Sequence, residues 1–111
     1  MNLYLNDLGI LCAAGNSKKE IKEKILNGDR SGLIETDEYG LDRTIFVGPV
    51  RCNLPSINSS YSFYDCRNNK LLLASLSQIK QTVDAMIRKF GIDRIGIVLG
   101  TSNSGVRNTE L

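Results

Sequence analysis

The longest regular pattern of hydrophobic positions lies between Tyr64 and Gly91. Its apolar residues recur at steps of three and four, the spacing that places side chains on one face of an α-helix. They are Leu72, Leu76, Ile79, Val83, Met86 and Phe90. We expect Asp65 to cap the start of this helix, because a short carboxylate accepts from unpaired backbone N–H groups. Gly91 suits a left-handed C-terminal cap. The pattern predicts one long amphipathic helix.

A continuous apolar run, Ile95–Leu99, follows this helix and ends at Gly100. A strand that is apolar on successive positions is typically buried on both faces of a sheet, with helices covering it. A helix that leads into such a strand through a short turn is half of a βαβ unit. The sequence therefore predicts an α/β fold with a mixed sheet covered by helices.

The N-terminal part begins with a strand-like apolar segment, Leu3–Ala14, which Gly15 and Asn16 interrupt. Ser17 and Glu20 then have the spacing of a capping box, in which each residue satisfies backbone donors at the start of a helix. The apolar residues after them share one face, and Gly28 follows in the position of a helix stop. This stretch predicts a short second helix.

The middle of the chain is rich in turn-forming residues. Asp29–Arg43 is expected to be loop with at most a short extended piece, and Leu54–Ser62 to be a surface loop. Thr44–Cys52 is a strand candidate, but Gly48 and Pro49 inside it favour a sheet edge or a bulge. With 111 residues, the chain is expected to form part of one domain, 1–111, with no internal boundary.

Composition and charge exclude several classes of function. The net charge of +2, from 14 basic and 12 acidic residues, does not favour nucleic acid or an anionic membrane. No apolar run reaches the roughly 18 residues of a membrane span, and no secretion signal is recognised at Met1, so we expect a cytoplasmic protein. The chain has no histidine, and its widely spaced cysteines do not form a zinc pattern. A Ser-His or Cys-His catalytic pair is likewise excluded within these residues.

A loop rich in small residues, Gly100–Gly105, follows the predicted buried strand. Its glycine spacing fits a phosphate-binding P-loop, but Val106 and Arg107 stand where such a loop needs lysine and a hydroxyl residue. A dinucleotide fingerprint fails as well, because Ser102 replaces the glycine that approaches the pyrophosphate. We therefore expect a tight turn and no cofactor, with phosphate binding as a weaker alternative.

Five segments, read in order, resemble the N-terminal part of β-ketoacyl–acyl carrier protein synthases. The first strand and helix of that family are similar to Leu8–Ser17, Glu20–Ile21, and Ile25–Gly28 with Ser31–Leu33. Its next helix, strand and loop are similar to Leu71–Ala74 and Arg94–Gly105. The resemblance covers nearly the whole chain, although the turn before Ser31-Gly32 is one residue longer than the commonest form.

The resemblance implies a thiolase-like fold and, for the parent protein, an acyltransferase. Such enzymes condense an acyl thioester with a malonyl group on an acyl carrier protein, in fatty acid or polyketide and polyene synthesis. The family's nucleophilic cysteine and two histidines follow the Gly-rich loop, beyond Leu111. Cys12, Cys52 and Cys66 do not match that cysteine. The resemblance therefore implies an incomplete chain, inactive in condensation by itself, from a parent protein that forms a homodimer and has an acyl carrier protein as partner.

The resemblance also implies one site residue. In the family, the middle of the Gly-rich loop borders the acyl pocket, and Asn103 holds that place here. A polar side chain there would suit a polyene or a short starter rather than a plain saturated chain. Two alternatives stay open: Asn103 only satisfies backbone groups in the turn, or the chain is a non-enzymatic α/β module that binds a carrier protein or dimerises.

Overall fold

The computed structural model describes residues 1–39 and 42–101. These residues form three α-helices, two 3-10 helices and a two-stranded antiparallel sheet, so the expected mixture of helices and strands is confirmed. Their contacts fall into two compact units. The first, Gly9–Asn53, is called the sheet unit below. The second, called the helical unit, comprises Met1–Leu8 and the chain from Leu54 onward.

Helix α1 of the sheet unit, Lys18–Leu26, begins at the predicted capping box. The Ser17 hydroxyl accepts the Glu20 N–H at 3.3 Å. The Glu20 carboxylate reaches back and accepts the N–H of Asn16 at 2.9 Å. Two backbone donors that the helix cannot satisfy thus receive side-chain partners, which confirms the start of this helix.

The end of α1 is also confirmed. Gly28 has a φ of 64°, a region that glycine enters without steric cost. Its N–H donates to the Ile25 carbonyl at 3.1 Å, and the Asp29 N–H donates to the Lys24 carbonyl at 2.9 Å. This pair of bonds is the Schellman arrangement, in which the last carbonyls of a helix find partners.

Strands β1, Ile34–Thr36, and β2, Ile45–Val47, pair antiparallel. In their register, Glu35 lies opposite Phe46. The strand expected over Thr44–Cys52 is therefore confirmed only for its first part. It ends before Gly48-Pro49, because proline has no N–H for a sheet ladder. The strand expected within Leu3–Ala14 is absent from the described residues, where the only pairing in that stretch is a bridge between Cys12 and Gly15.

The long helix predicted in the helical unit is two helices. Helix α2 is Arg67–Ser77 and helix α3 is Lys80–Phe90. At the break, the Ser77 hydroxyl donates to the Ala74 carbonyl at 2.6 Å, and the Ile79 N–H bonds three residues back instead of four. Side-chain hydroxyls that bond to the backbone in this way compete with the helix and loosen it. The prediction of a single helix was wrong.

Asp65 does not cap α2. A 3-10 helix, Ser59–Tyr64, precedes α2, and the Asp65 N–H closes that turn by donating to the Ser62 carbonyl at 3.0 Å. This places Cys66 at the N-cap position, without a capping bond from its side chain. The Asp65 carboxylate pairs with the Lys70 ammonium at 2.6 Å instead.

Gly91 ends α3, as predicted. The Gly91 N–H donates to the Ile87 carbonyl at 2.9 Å. Gly91 has a φ of 86° and a ψ of 152°, a positive-φ conformation that favours glycine but is not the predicted left-handed helical one. A second 3-10 helix, Ile92–Arg94, follows. In the same unit, the Thr82 hydroxyl of α3 donates to the Asp7 carboxylate at 2.7 Å, which connects the N-terminal residues to α3.

Ile95–Leu99 is not a buried strand. These residues pair with no strand in the described part of the chain, and the Val98 side chain is 98% exposed. An apolar, β-branched run becomes a strand only where a neighbour completes its backbone hydrogen bonds. Ile95 has β-region dihedrals, but the prediction of a buried strand over Ile95–Leu99 was wrong.

Burial of large side chains is sparse throughout residues 1–39 and 42–101. Ile21 on α1 is the one hydrophobic residue among them that is buried, at 5% exposure. Its neighbours on the predicted apolar face, Ile25 and Leu26, are mostly exposed. Stability from hydrophobic burial is proportional to the area removed from water, so it is concentrated at few positions here.

Candidate functional site

The helical unit contains an open groove of about 590 Å³. One wall is the leucine face of α2, formed by Leu72, Leu73 and Leu76. Ile97 and Leu99 line it from the segment that follows α3. The volume lies within the roughly 300–1,000 Å³ of small-molecule sites, which are mainly apolar with a few polar groups.

One end of the groove is polar. Asn69 precedes the leucines on the same face of α2 by one turn, and Tyr61 and Tyr64 come from the preceding 3-10 helix. The Asn69 amide donates to the Tyr64 carbonyl at 2.9 Å, which fixes the side chain beside the groove. From Asn69 to Leu76 the face extends about 10 Å along α2. Residues with polar side chains thus border one end of a groove whose surface is almost wholly apolar.

The opposite wall has strand-like alternation. Ile97 and Leu99 line the groove, whereas Val98 between them is almost completely exposed. Ile97 and Leu99 are themselves more than half exposed, so this wall of the groove is open to solvent. Among the residues that the structure describes, none that lines the groove is charged. The groove can therefore hold an uncharged apolar chain.

A smaller, polar pocket of about 210 Å³ lies in the sheet unit at the start of α1. Glu20, Lys24 and Arg51 line it, together with the Cys12 thiol. Two of its charged groups are paired: the Lys24 ammonium lies 3.4 Å from the Glu20 carboxylate. The bond from the Asn16 N–H, and then the nearby Lys24, hold the pKa of Glu20 below its ordinary value. The Glu20 side chain in this pocket therefore serves the start of α1.

The lowered pKa of Glu20 predicts an acid-sensitive start of α1. A carboxyl whose folded pKa is depressed contributes stability above its unfolded pKa, and that contribution is lost as pH falls through the folded value. We expect the Asn16 amide signal in NMR to titrate below the ordinary carboxyl value of 4.5, with loss of α1 helicity over the same range. In Glu20→Gln this titration should disappear. A midpoint at or above 4.5 would contradict the capping role.

Asn103, the site residue implied by the family resemblance, lies outside the described residues, as does most of the Gly100–Gly105 loop. At the start of that loop, the Thr101 hydroxyl lies 3.4 Å from the Asn68 side-chain oxygen at the beginning of α2. The three cysteines are free, half-buried thiols. Residues 1–39 and 42–101 contain no group of His, Cys, Asp and Glu side chains able to hold a metal ion.

The groove was not predicted from the sequence. The feature that could have indicated it is Asn69, a polar residue on the leucine face of a helix and close to two tyrosines in the chain. A polar residue on an apolar face commonly bonds to nearby backbone, as Asn69 does.

No helix among the described residues has the length and apolar character needed to cross a membrane.

Comparisons of this chain with protein-family models, with curated proteins and with solved structures gave no match.

Proposed function

We propose that these 111 residues are the N-terminal segment of a β-ketoacyl–acyl carrier protein synthase with a thiolase-like fold. The parent enzyme would condense an acyl thioester with a malonyl group on the carrier protein, in fatty acid or polyketide synthesis. In this proposal, the segment contributes a wall for the acyl chain, and the reacting groups come from elsewhere in the enzyme.

The observation that carries the proposal is the position of the apolar groove in the chain. Its last lining residue, Leu99, directly precedes Gly100, where the loop begins that resembles the family's acyl-pocket border. An uncharged groove with leucines at one end suits the alkyl part of an acyl group, which binds by burial of apolar surface. Asn103 would lie four residues farther along the same segment.

Packing in the sheet unit supports the N-terminal part of the resemblance. Leu8–Ser17 and Ser31-Gly32, two of the segments that resemble the family, meet at Ala13. A Cβ on Gly32 would overlap the Ala13 carbonyl, and a Cβ on Gly48 would lie 2.8 Å from the Ala13 Cβ. Small residues in these stretches are therefore required by close backbone approach rather than by flexibility.

A groove variant tests the proposed acyl wall. Decanoyl-pantetheine, an acyl thioester of the carrier's prosthetic group, is titrated into the chain while the leucine methyl signals are followed by NMR. Leu76→Lys should weaken binding at least tenfold, because it places a charge against the alkyl chain. Leu26→Lys, at a position 74% exposed in the sheet unit, is the matched control and should bind as the natural sequence does. Equal affinity for all three proteins would overturn the acyl-wall assignment.

A second candidate is a non-enzymatic module that docks on a carrier protein or on another copy. It is favoured by the many large apolar side chains that stay exposed, among them Ile25, Phe46 and Phe63. The two candidates differ in whether they require catalytic residues from further sequence. The synthase proposal requires a nucleophilic cysteine and two histidines from further sequence, whereas the module acts without them.

A further inference from the structure

We propose that the break between α2 and α3 is a hinge, and that a second state of the chain joins residues 67–90 into one continuous helix. The break, residues 77–79, is called the Ile79 hinge below. In this proposal, the groove of the helical unit has its two walls side by side only while the hinge is broken. The inference rests on the geometry of the helical unit and does not depend on the synthase proposal.

The backbone at the hinge departs from a helix mainly at one residue. Gln78 has helical dihedrals, with φ at −67° and ψ at −27°. Ile79 has φ at −115° and ψ at 2°, which differ from helical values by about 50° and 45°. Such angles lie near the bridge region, which is sparsely populated and adjoins the helical region. A modest rotation at Ile79 would therefore align α3 with α2.

The Ser77 hydroxyl stabilises the broken state. In a continuous helix, the Gln78 N–H would donate to the Ala74 carbonyl, four residues back. The Ser77 hydroxyl donates to that carbonyl at 2.6 Å, and the Gln78 N–H donates to the Ser75 carbonyl at 3.2 Å. Release of this one hydroxyl would free the acceptor that the continuous helix needs.

The apolar pattern of the sequence favours the continuous state. Leu76, Ile79 and Val83 keep steps of three and four residues across the hinge, so a continuous helix would place them on one face. The local hydroxyl and the apolar pattern thus favour different states. Conflict between local and longer-range preferences is what allows one segment to have two states of similar free energy.

The two walls of the groove lie on opposite sides of the hinge in the chain. The leucines of α2 precede it, whereas Ile97 and Leu99 follow α3. In the broken state, the Thr101 hydroxyl donates to the Asn68 side-chain oxygen at 3.4 Å, which joins the segment after α3 to the start of α2. Rotation at Ile79 would move α3 and this segment relative to α2. A ligand that contacts both walls would therefore favour the broken state.

Two substitutions should shift the hinge in opposite directions. Ser77→Ala removes the hydroxyl and adds a better helix former, so it should raise the population of the continuous helix at least about twofold. Lys80→Pro should abolish that state, because proline has no N–H for the Leu76 carbonyl, whereas the first position of α3 accepts proline. Lys80→Ala is the matched control, since it loses the same ion pair with Asp84 and keeps the N–H.

NMR relaxation dispersion at the Gln78 and Ile79 amides measures exchange between the two states. We expect dispersion in the natural chain and in Lys80→Ala, a larger continuous-helix population in Ser77→Ala, and no dispersion in Lys80→Pro. The proposal would be overturned by a natural chain without dispersion, by dispersion that persists in Lys80→Pro, or by an unchanged population in Ser77→Ala.

A nitroxide label on Cys66, at the N-cap of α2, tests the connection between the hinge and the groove. The other two cysteines are replaced by serine, so that the label has one position. In the broken state, the segment after α3 lies beside the start of α2, and the label should broaden the Leu99 methyl signals. We expect stronger broadening in Lys80→Pro than in Ser77→Ala. Equal broadening in the two variants would show that the hinge does not set the separation of the groove walls.

Discussion

Replacing Gly32 by alanine is expected to lower the free energy of unfolding of the sheet unit by about 3 kcal/mol, the upper part of the range for overpacking. The new Cβ would overlap the Ala13 carbonyl oxygen and lie 2.6 Å from the Ala13 carbonyl carbon. Both obstructing atoms belong to the backbone, so no side-chain rotation relieves the contact. The segment around Ala13 must move away from the turn before β1.

Native-state hydrogen exchange of the α1 amides measures this loss, because those amides report on opening of the sheet unit. Gly96→Ala is the matched control: the same methyl group is added at a glycine whose Cβ would meet no atom within 4 Å and whose φ is not positive. We expect it to change exchange little. If the two variants exchange alike, Ala13 and Gly32 are not in contact.

Ile21→Ala is the second change with a large expected effect. Ile21 is 5% exposed and is the one buried hydrophobic side chain within residues 1–39 and 42–101. Truncating a buried isoleucine removes its burial and leaves a cavity, which together cost about 2–5 kcal/mol. Since burial is so sparse here, we expect this single change to remove much of the ordered structure around α1.

The same substitution one turn later is the control. Ile25 lies on the same helix and is 66% exposed, so Ile25→Ala loses little burial and gains the slightly better helix propensity of alanine. Urea unfolding followed by circular dichroism should show a lower midpoint for Ile21→Ala and a nearly unchanged one for Ile25→Ala. Similar midpoints for both would mean that α1 packs on a different face.

The parts of the fold that the sequence predicts correctly are those with local causes. Helix α1 begins and ends where Ser17, Glu20 and Gly28 indicate, because each acts on backbone groups within five residues. The break between α2 and α3 also has a local cause, the Ser77 hydroxyl. It was not predicted, because the apolar spacing continues without interruption from Leu76 to Val83.

Features that depend on distant residues could not be predicted. The apolar run Ile95–Leu99 predicts a buried strand, yet its burial requires a neighbouring strand that no local pattern specifies. The short extended piece expected within Asp29–Arg43 is present as β1, Ile34–Thr36, but its pairing with β2 could not be predicted from local sequence. The groove joins α2 to residues more than twenty positions later, so the sequence led to Asn103 and not to the groove.

We propose that this chain is a segment of a larger condensing enzyme, and the intact mass of the protein from its native source is the measurement that decides this proposal. We expect a mass several times the 12.3 kDa of these residues, with a cysteine and two histidines in the added sequence. A product of 12.3 kDa would contradict it, because a protein with no histidine cannot supply the family's catalytic groups.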